Sequence, residues 1–338
     1  MAYLSPRKVL DLRCVTTGIG MAVMNYIDAE VLNVVQFSPK LLDGSKEFAI
    51  DEVQEQLPVT HFSYLILMSK LVPLQMFQQE VGAKSSFVSA ASFKALDTER
   101  VTTKVMDLLL NGLVRCDEPV IEFLDLSRVK ATISRSKMVG VARSCANLRV
   151  LDVHSTFATC LCHTVLTEVV NHAPNLRYLD LHEASSSDQL MLAVAKTCKQ
   201  LQYLDVSNTS ITDTSMVEVV QSCTKLQYLK VRSRKQKVTD LTYSVLALSC
   251  SELRHLDIFF NDISDEILAL IGSQCRKLTY LNISWSHKVT DKGLVAFLDS
   301  ASRLKTLEVS RTLHGSGFSN DKVDMLQALY TECKVIVA

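Results

Sequence analysis

Five cysteines recur at one phase of the chain: Cys145, Cys198, Cys223, Cys250 and Cys275. Thiolates bind metals and act as nucleophiles, so metal or redox chemistry is the first to weigh. Zinc sites bring sulfurs together in close pairs such as CxxC. The last four of these cysteines instead lie 25 to 27 residues apart, which suits small apolar side chains packed in a ladder. Cys160, Cys162 and His163 form a tighter group, but a second pair of ligands is missing from the sequence. Serine-nucleophile elbows, phosphate loops and HExxH are absent from the sequence, and TGIGMA (Thr17–Ala22) has no strand before it. The expectation is a chain with no catalytic residues, no metal and no cofactor, and so not an enzyme.

The cysteines keep step with a longer pattern. Laid on itself, the chain repeats LxxLx(L/V/I) as IEFLDL from Ile121, LRVLDV from Leu148, LRYLDL from Leu176 and LQYLDV from Leu201. It continues as LQYLKV from Leu226, LRHLDI from Leu253, LTYLNI from Leu278 and LKTLEV from Leu304. Successive starts are 27, 28, 25, 25, 27, 25 and 26 residues apart, inside the ~20–29 residue range of leucine-rich repeats. FKALD from Phe93 reads as an atypical first unit.

Each unit has its own physics. Leu followed by an apolar residue two places on is the period of a strand with one buried face. A helical stretch follows, such as Ile211 to Cys223, where Met216, Val219 and Val220 share a face with Cys223. The turns ITD, VTD and ISD put Asp or Thr where a helix N-cap is needed. One strand–turn–helix unit cannot bury its own apolar face, but a stack shares a continuous core. The expected fold class is therefore α/β: a right-handed leucine-rich-repeat horseshoe over residues 93–338, with a small, mostly helical module over 1–92.

Residues alternating with the buried ones should line the concave strand face. The first column is Val150, Tyr178, Tyr203, Tyr228, His255, Tyr280 and Thr306; the second is Asp152, Asp180, Asp205, Lys230, Asp257, Asn282 and Glu308. A third holds His154, His182, Ser207, Arg232, Phe259, Ser284 and Ser310. Tyrosine is a frequent interface anchor, and an acidic column would favour a basic segment on a protein partner. The alternative is that Tyr and Asp simply pack sideways along the strands. Arg232, Arg234, Lys235 and Lys237 read as a solvated turn interrupting the acidic stripe, with Trp285, Phe259 and Phe260 as exposed anchors just past strands.

Lys plus Arg equals Asp plus Glu at 36 each, which points away from nucleic acid and anionic membranes. No apolar run approaches a bilayer span, and Arg7, Lys8, Asp11 and Arg13 break up any signal-peptide core. A cytoplasmic or nuclear protein with reduced thiols is expected.

The cysteine three residues before the first Leu resembles the cysteine-containing, ribonuclease-inhibitor-like repeats of many ubiquitin-ligase substrate receptors. Ala173 and Ala301 replace it in two units. Nearer the N-terminus, a helix over Arg7–Tyr26 would carry Leu10 and Cys14 one turn apart, and a second helix would start at Leu57–Pro58. LxxxC resembles the elongin-binding box, although Val9 and Gly18 depart from its flanking positions. This order of parts resembles the zyg-eleven family of cullin-two ligase receptors. The resemblance implies that Leu10 and Cys14 enter a groove on elongin C while the repeats hold a substrate. The runner-up is an F-box receptor on a Skp adaptor, with Leu57–Leu71 as a degenerate F-box lacking its usual Trp. A third reading is a repeat scaffold with no ligase link.

Overall fold

The computed structural model describes residues 34–36, 64–66, 90–92, 123–127, 133, 135–156, 162–232, 237–261, 263–309 and 320–336. The chain divides into two compact units, Met1–Tyr178 and Leu179–Ala338. In the first, β1 (Val34–Gln36), β2 (Tyr64–Ile66), β3 (Ala90–Ser92), β4 (Phe123–Asp125) and β5 (Val150–Asp152) pair in chain order, all parallel. Helices α1 (Arg135–Arg143) and α2 (His163–Asn171) belong to this unit. Strand β6 (Tyr178–Asp180) straddles the division.

The second unit alternates helices and strands: α3 (Asp188–Thr197), β7 (Tyr203–Asp205), α4 (Asp213–Ser222), β8 (Tyr228–Lys230), α5 (Asp240–Ser249) and β9 (His255–Asp257). It continues with α6 (Asp265–Gln274), β10 (Tyr280–Asn282), α7 (Asp291–Ser300), β11 (Thr306–Glu308), α8 (Asn320–Leu329) and β12 (Lys334–Ile336). Register is unstaggered: Leu204, Leu229, Leu256, Leu281, Leu307 and Val335 lie opposite one another in turn. Each of these leucines is fully buried, as are Met216, Val219 and Val220 on α4, so the two amphipathic periods meet in one core. Among the described residues, no helix is long and apolar enough to cross a membrane.

The N-terminal expectation needs correcting where strands are described. The sequence pattern begins the repeats at 93 and places a helix over Leu57–Leu74, with a degenerate F-box over Leu57–Leu71 as the alternative. Strand β2 lies inside that stretch, and β1 and β3 precede residue 93 in the same ladder. Leu32-Val35-Phe37, Phe62-Leu65-Leu67 and Val88-Ala91-Phe93 keep the apolar positions of the repeat but only three of its leucines. Short apolar runs of this kind fit both periods. Phe93 is accordingly the sixth position of its unit and not the first. The Arg7–Tyr26 segment, with Leu10 and Cys14, lies outside the described residues.

The helix starts hold a second ladder. Ser187, Thr212, Thr239, Ser264 and Thr290 are N-caps whose side chains accept backbone N–H bonds of their own helices. The Asp that follows each of the first four caps reaches sideways to the next unit. Asp188 accepts from Thr212 N (2.9 Å), Thr212 Oγ1 (2.8 Å) and Ser215 Oγ (2.6 Å). Asp213 repeats this with Thr239 N (2.9 Å), Thr239 Oγ1 (2.6 Å) and Thr242 Oγ1 (2.6 Å). Burial raises the pKa of both carboxyls, but these hydrogen bonds outweigh it and the net shift is downward. Asp265 bonds Thr290 N (2.8 Å), and there Gly293 replaces the buried hydroxyl. A Cβ on Gly293 would come 1.9 Å from Asp265 Oδ1 and 2.7 Å from its Cβ.

The cysteines end the helices. Cys198, Cys223, Cys250 and Cys275 are C-cap residues and, with Cys145, are fully or almost fully buried free thiols. Cys223 Sγ donates to Cys198 O (3.4 Å) and Cys250 Sγ to Val220 O (3.4 Å), tying neighbouring units together. Burial pushes all five thiols up to about 12. At Cys162 the Thr164 hydroxyl, 2.9 Å away, is the main influence lowering the thiol pKa.

Asp213→Ala removes three hydrogen bonds between units and is expected to cost about 2 kcal/mol in chemical denaturation. Gly293→Ala should also destabilise, because the added methyl displaces Asp265. In native alkylation followed by peptide mass mapping, Cys162 is expected to label ahead of the buried thiols of the cysteine ladder. Cys145, Cys198, Cys223, Cys250 and Cys275 should label only after denaturation.

Candidate protein-recognition surface

The strand residues that alternate with the core leucines form the candidate surface. Parallel strands stand ~4.8 Å apart, so same-phase side chains must stack. Tyr203 and Tyr228 stack at 6.0 Å, Tyr228 and His255 at 5.0 Å, and His255 and Tyr280 at 3.9 Å with parallel planes. Tyr178 and Tyr203 are buried at 3% and 1% exposure, while Tyr228, His255 and Tyr280 are half-buried. Sideways packing therefore covers much of the expected first column.

The second column is more deeply buried than its sequence suggested. Asp180, Asp205, Asp257 and Asn282 are 3%, 6%, 0% and 2% exposed. Their Oδ1 atoms accept the backbone N–H two residues on, from His182 (3.0 Å), Ser207 (2.9 Å), Phe259 (3.3 Å) and Ser284 (2.9 Å). Asp152 does the same for His154 (3.1 Å). This is the Asx-turn geometry by which Asp and Asn close a turn on their own backbone. The expected acidic recognition stripe is thus a row of turn-forming groups, and an Asp at the same phase in successive strands was the available sequence signal for it.

Lys230 departs from that row. It faces Asp205 and Asp257 in register, is half-buried, and holds its ammonium 6.0 Å from the centre of the Tyr203 ring. Two residues on, Arg232 is not the free solvated side chain the sequence suggested. Its Nε donates to Asp257 Oδ2 at 2.7 Å and an Nη donates to the same oxygen. Its guanidinium also lies 5.6 Å from the centre of the Phe259 ring. Arg234 and Lys235 lie outside the described residues, as does Ser310; Lys237 is exposed.

Past the strands, the eighth residue of the unit is left-handed at Ser155, Glu183, Asn208, Phe260 and Trp285, with φ of 48°, 56°, 57°, 66° and 64°. Asn adopts this conformation readily, whereas bulky residues there are strained. Phe260 N bonds Ser284 O (2.9 Å), so the two turns are locked together. The Phe260 and Trp285 rings stack at 5.0 Å, with Phe259 on one side at 5.5 Å and His287 on the other at 6.3 Å. Beneath them, fully buried Asn261 donates to Val231 O, Ile258 O and Phe259 O.

Strand, left-handed turn, capped helix and buried cysteine, repeated in register, define a leucine-rich-repeat solenoid. The family model described as Leucine Rich repeat matches residues 249–272 and 274–298. Similar solved structures include an internalin C2 from Listeria monocytogenes (19% identity, TM-score 0.46, 71% of this chain and 91% of that one). A leucine-rich-repeat protein of Leptospira interrogans is 18% identical with TM-score 0.49, over 81% of this chain and 72% of that one. The yeast Rad7 and Elc1 complex gives 12% identity and TM-score 0.46, over 98% of each chain. No curated protein gives a significant match.

His255 generates a pH test of this surface. Burial, reinforced by Lys230 and Arg232, pushes its imidazole down to about 3, and its Nε2 has no hydrogen-bond partner among the described residues. The unfolded imidazole titrates near ~6.5, so the unfolded state takes the proton first as pH falls. His255 therefore contributes nothing above that pH and increasingly destabilises the fold from there toward pH 3. His255→Phe keeps the ring stack and removes this proton linkage. Relative to wild type, it should gain about 1–2 kcal/mol between pH 7 and pH 5 in urea denaturation.

Proposed function

We propose that this chain is a non-catalytic protein-recognition module serving as the substrate receptor of a cullin-RING ubiquitin ligase of the elongin type. The observation that carries recognition is the aromatic and cationic face of half-buried or exposed residues in β8–β10 and the turns after them, including Tyr228, Lys230, Arg232, Phe259 and Phe260. Aromatic residues and Arg are the side chains that most often dominate protein interfaces. The buried thiols and turn-bound carboxylates beneath that face are engaged in packing, which supports a binding role over a catalytic one.

The ligase part of the reading rests on the N-terminal LxxxC, with Leu10 and Cys14 as the groups that would enter elongin C, followed by cysteine-phase repeats. Ubiquitin transfer would be carried out by the partners, in the cytoplasm or nucleus. Strand β2 within Leu57–Leu71 weighs against the F-box alternative, whose motif there would be helical. The test is a pull-down from cell extract with wild-type protein and Leu10→Ser/Cys14→Ser, probed for elongin C, the Skp adaptor and cullins. Elongin C is expected with the wild type and not with the double variant. Recovery of the Skp adaptor with both would transfer the reading to that ligase class, and recovery of no adaptor or cullin would leave a non-ligase scaffold.

A further inference from the structure

The charge the surface presents is opposite to the charge its sequence advertises. In β7–β10 the acidic side chains are the inner groups: Asp205 is 6% exposed and Asp257 0%. Each gives one oxygen to a backbone N–H. The second oxygen of Asp257 is taken by Arg232, whose side chain is 45% exposed against 1% for that of Asp257. The pair thus points its negative end into the protein and its positive end toward solvent. Arg232 uses Nε and one Nη in this bond, and a guanidinium has five N–H donors, so donors remain for an incoming acceptor. Lys230 has no ion pair among the described residues and lies at the end of β8, two places before Arg232.

Apolar contact is provided at the edge of the same patch. Phe259 lies against the Arg232 guanidinium and continues into the Phe260–Trp285 stack. Two bulky aromatics in the left-handed position are strained, and strain of this kind is typically retained where a local geometry is used.

We infer that the face formed by Lys230, Arg232, Phe259, Phe260 and Trp285 receives an acidic protein segment. A partner carboxylate would be held by Lys230 and Arg232, and a neighbouring apolar side chain would lie on the aromatic stack. This rests on the reading of the repeats as a protein-binding surface and names the chemistry of the partner. A protein is favoured over a nucleic acid because recognition of a phosphate backbone uses a row of cations. Here Lys230 and Arg232 stand beside aromatics, in a chain whose 36 basic and 36 acidic residues balance.

The experiment selects peptides from a random display library on the immobilised full-length chain, then measures the selected peptides by fluorescence anisotropy. A labelled oligo(dT) serves as the nucleic-acid probe. The selected peptides are expected to be enriched in Asp and Glu beside Trp, Phe or Leu. Lys230→Glu should weaken them about tenfold or more while leaving the Arg232–Asp257 pair intact. Lys230→Gln should have a smaller effect, and Trp285→Asn, which places Asn in a left-handed position it tolerates, should also weaken binding. Thermal unfolding of each variant checks that it is folded. Peptides rich in Lys and Arg, or acidic peptides indifferent to Lys230→Glu in a folded variant, would overturn the inference and leave the protein-binding surface standing. Tighter binding of oligo(dT) than of any selected peptide would overturn both, as would failure to enrich any peptide. Neither result bears on the separate elongin C pull-down.

Discussion

Parallel strands paired without stagger put the same position of every unit beside itself, ~4.8 Å away. The leucines at the strand centres stack on leucines, and cysteines at helix ends tie to neighbouring carbonyls. The same spacing brings rings at the first surface position into contact. At such a separation an aromatic residue covers its neighbour, so Tyr203 is nearly inaccessible although it alternates with the core. Burial here follows from lateral repetition as much as from which face of the strand a residue occupies.

That constraint gives aspartate two structural tasks. At strand ends it closes the turn onto its own backbone. At helix starts it leaves capping to the preceding Thr or Ser and binds the cap of the following unit. A carboxylate accepting several N–H and O–H bonds is held ionised, and it couples units whose helices otherwise meet through apolar faces. Gly293 shows how closely this ladder is fitted, since Asp265 fills the space that a side chain at that position would need.

With the carboxylates drawn inward, the few basic residues on the strands acquire disproportionate weight. Lys230 occupies the place of an Asp, and Arg232 extends over Asp257 toward Phe259. The binding surface is thus an interruption in the repeat. It is supported by regular units on both sides, and its aromatic edge is held by the locked turns of Phe260 and Trp285.

From sequence alone, the period, the strand–turn–helix unit, the inward leucines and the apolar nature of the five-cysteine ladder were all legible, because each depends on local spacing and side-chain polarity. Met216, Val219, Val220 and Cys223 on one buried face illustrate this. The early strands β1 to β3 were missed because their units keep the apolar positions but only some of the leucines. The Asp column was assigned to the surface because alternation along a strand says nothing about groups stacked across strands. Which charges face solvent was decided by tertiary structure, since Arg232 and Asp257 lie 25 residues apart in sequence and meet only when consecutive units stack in register.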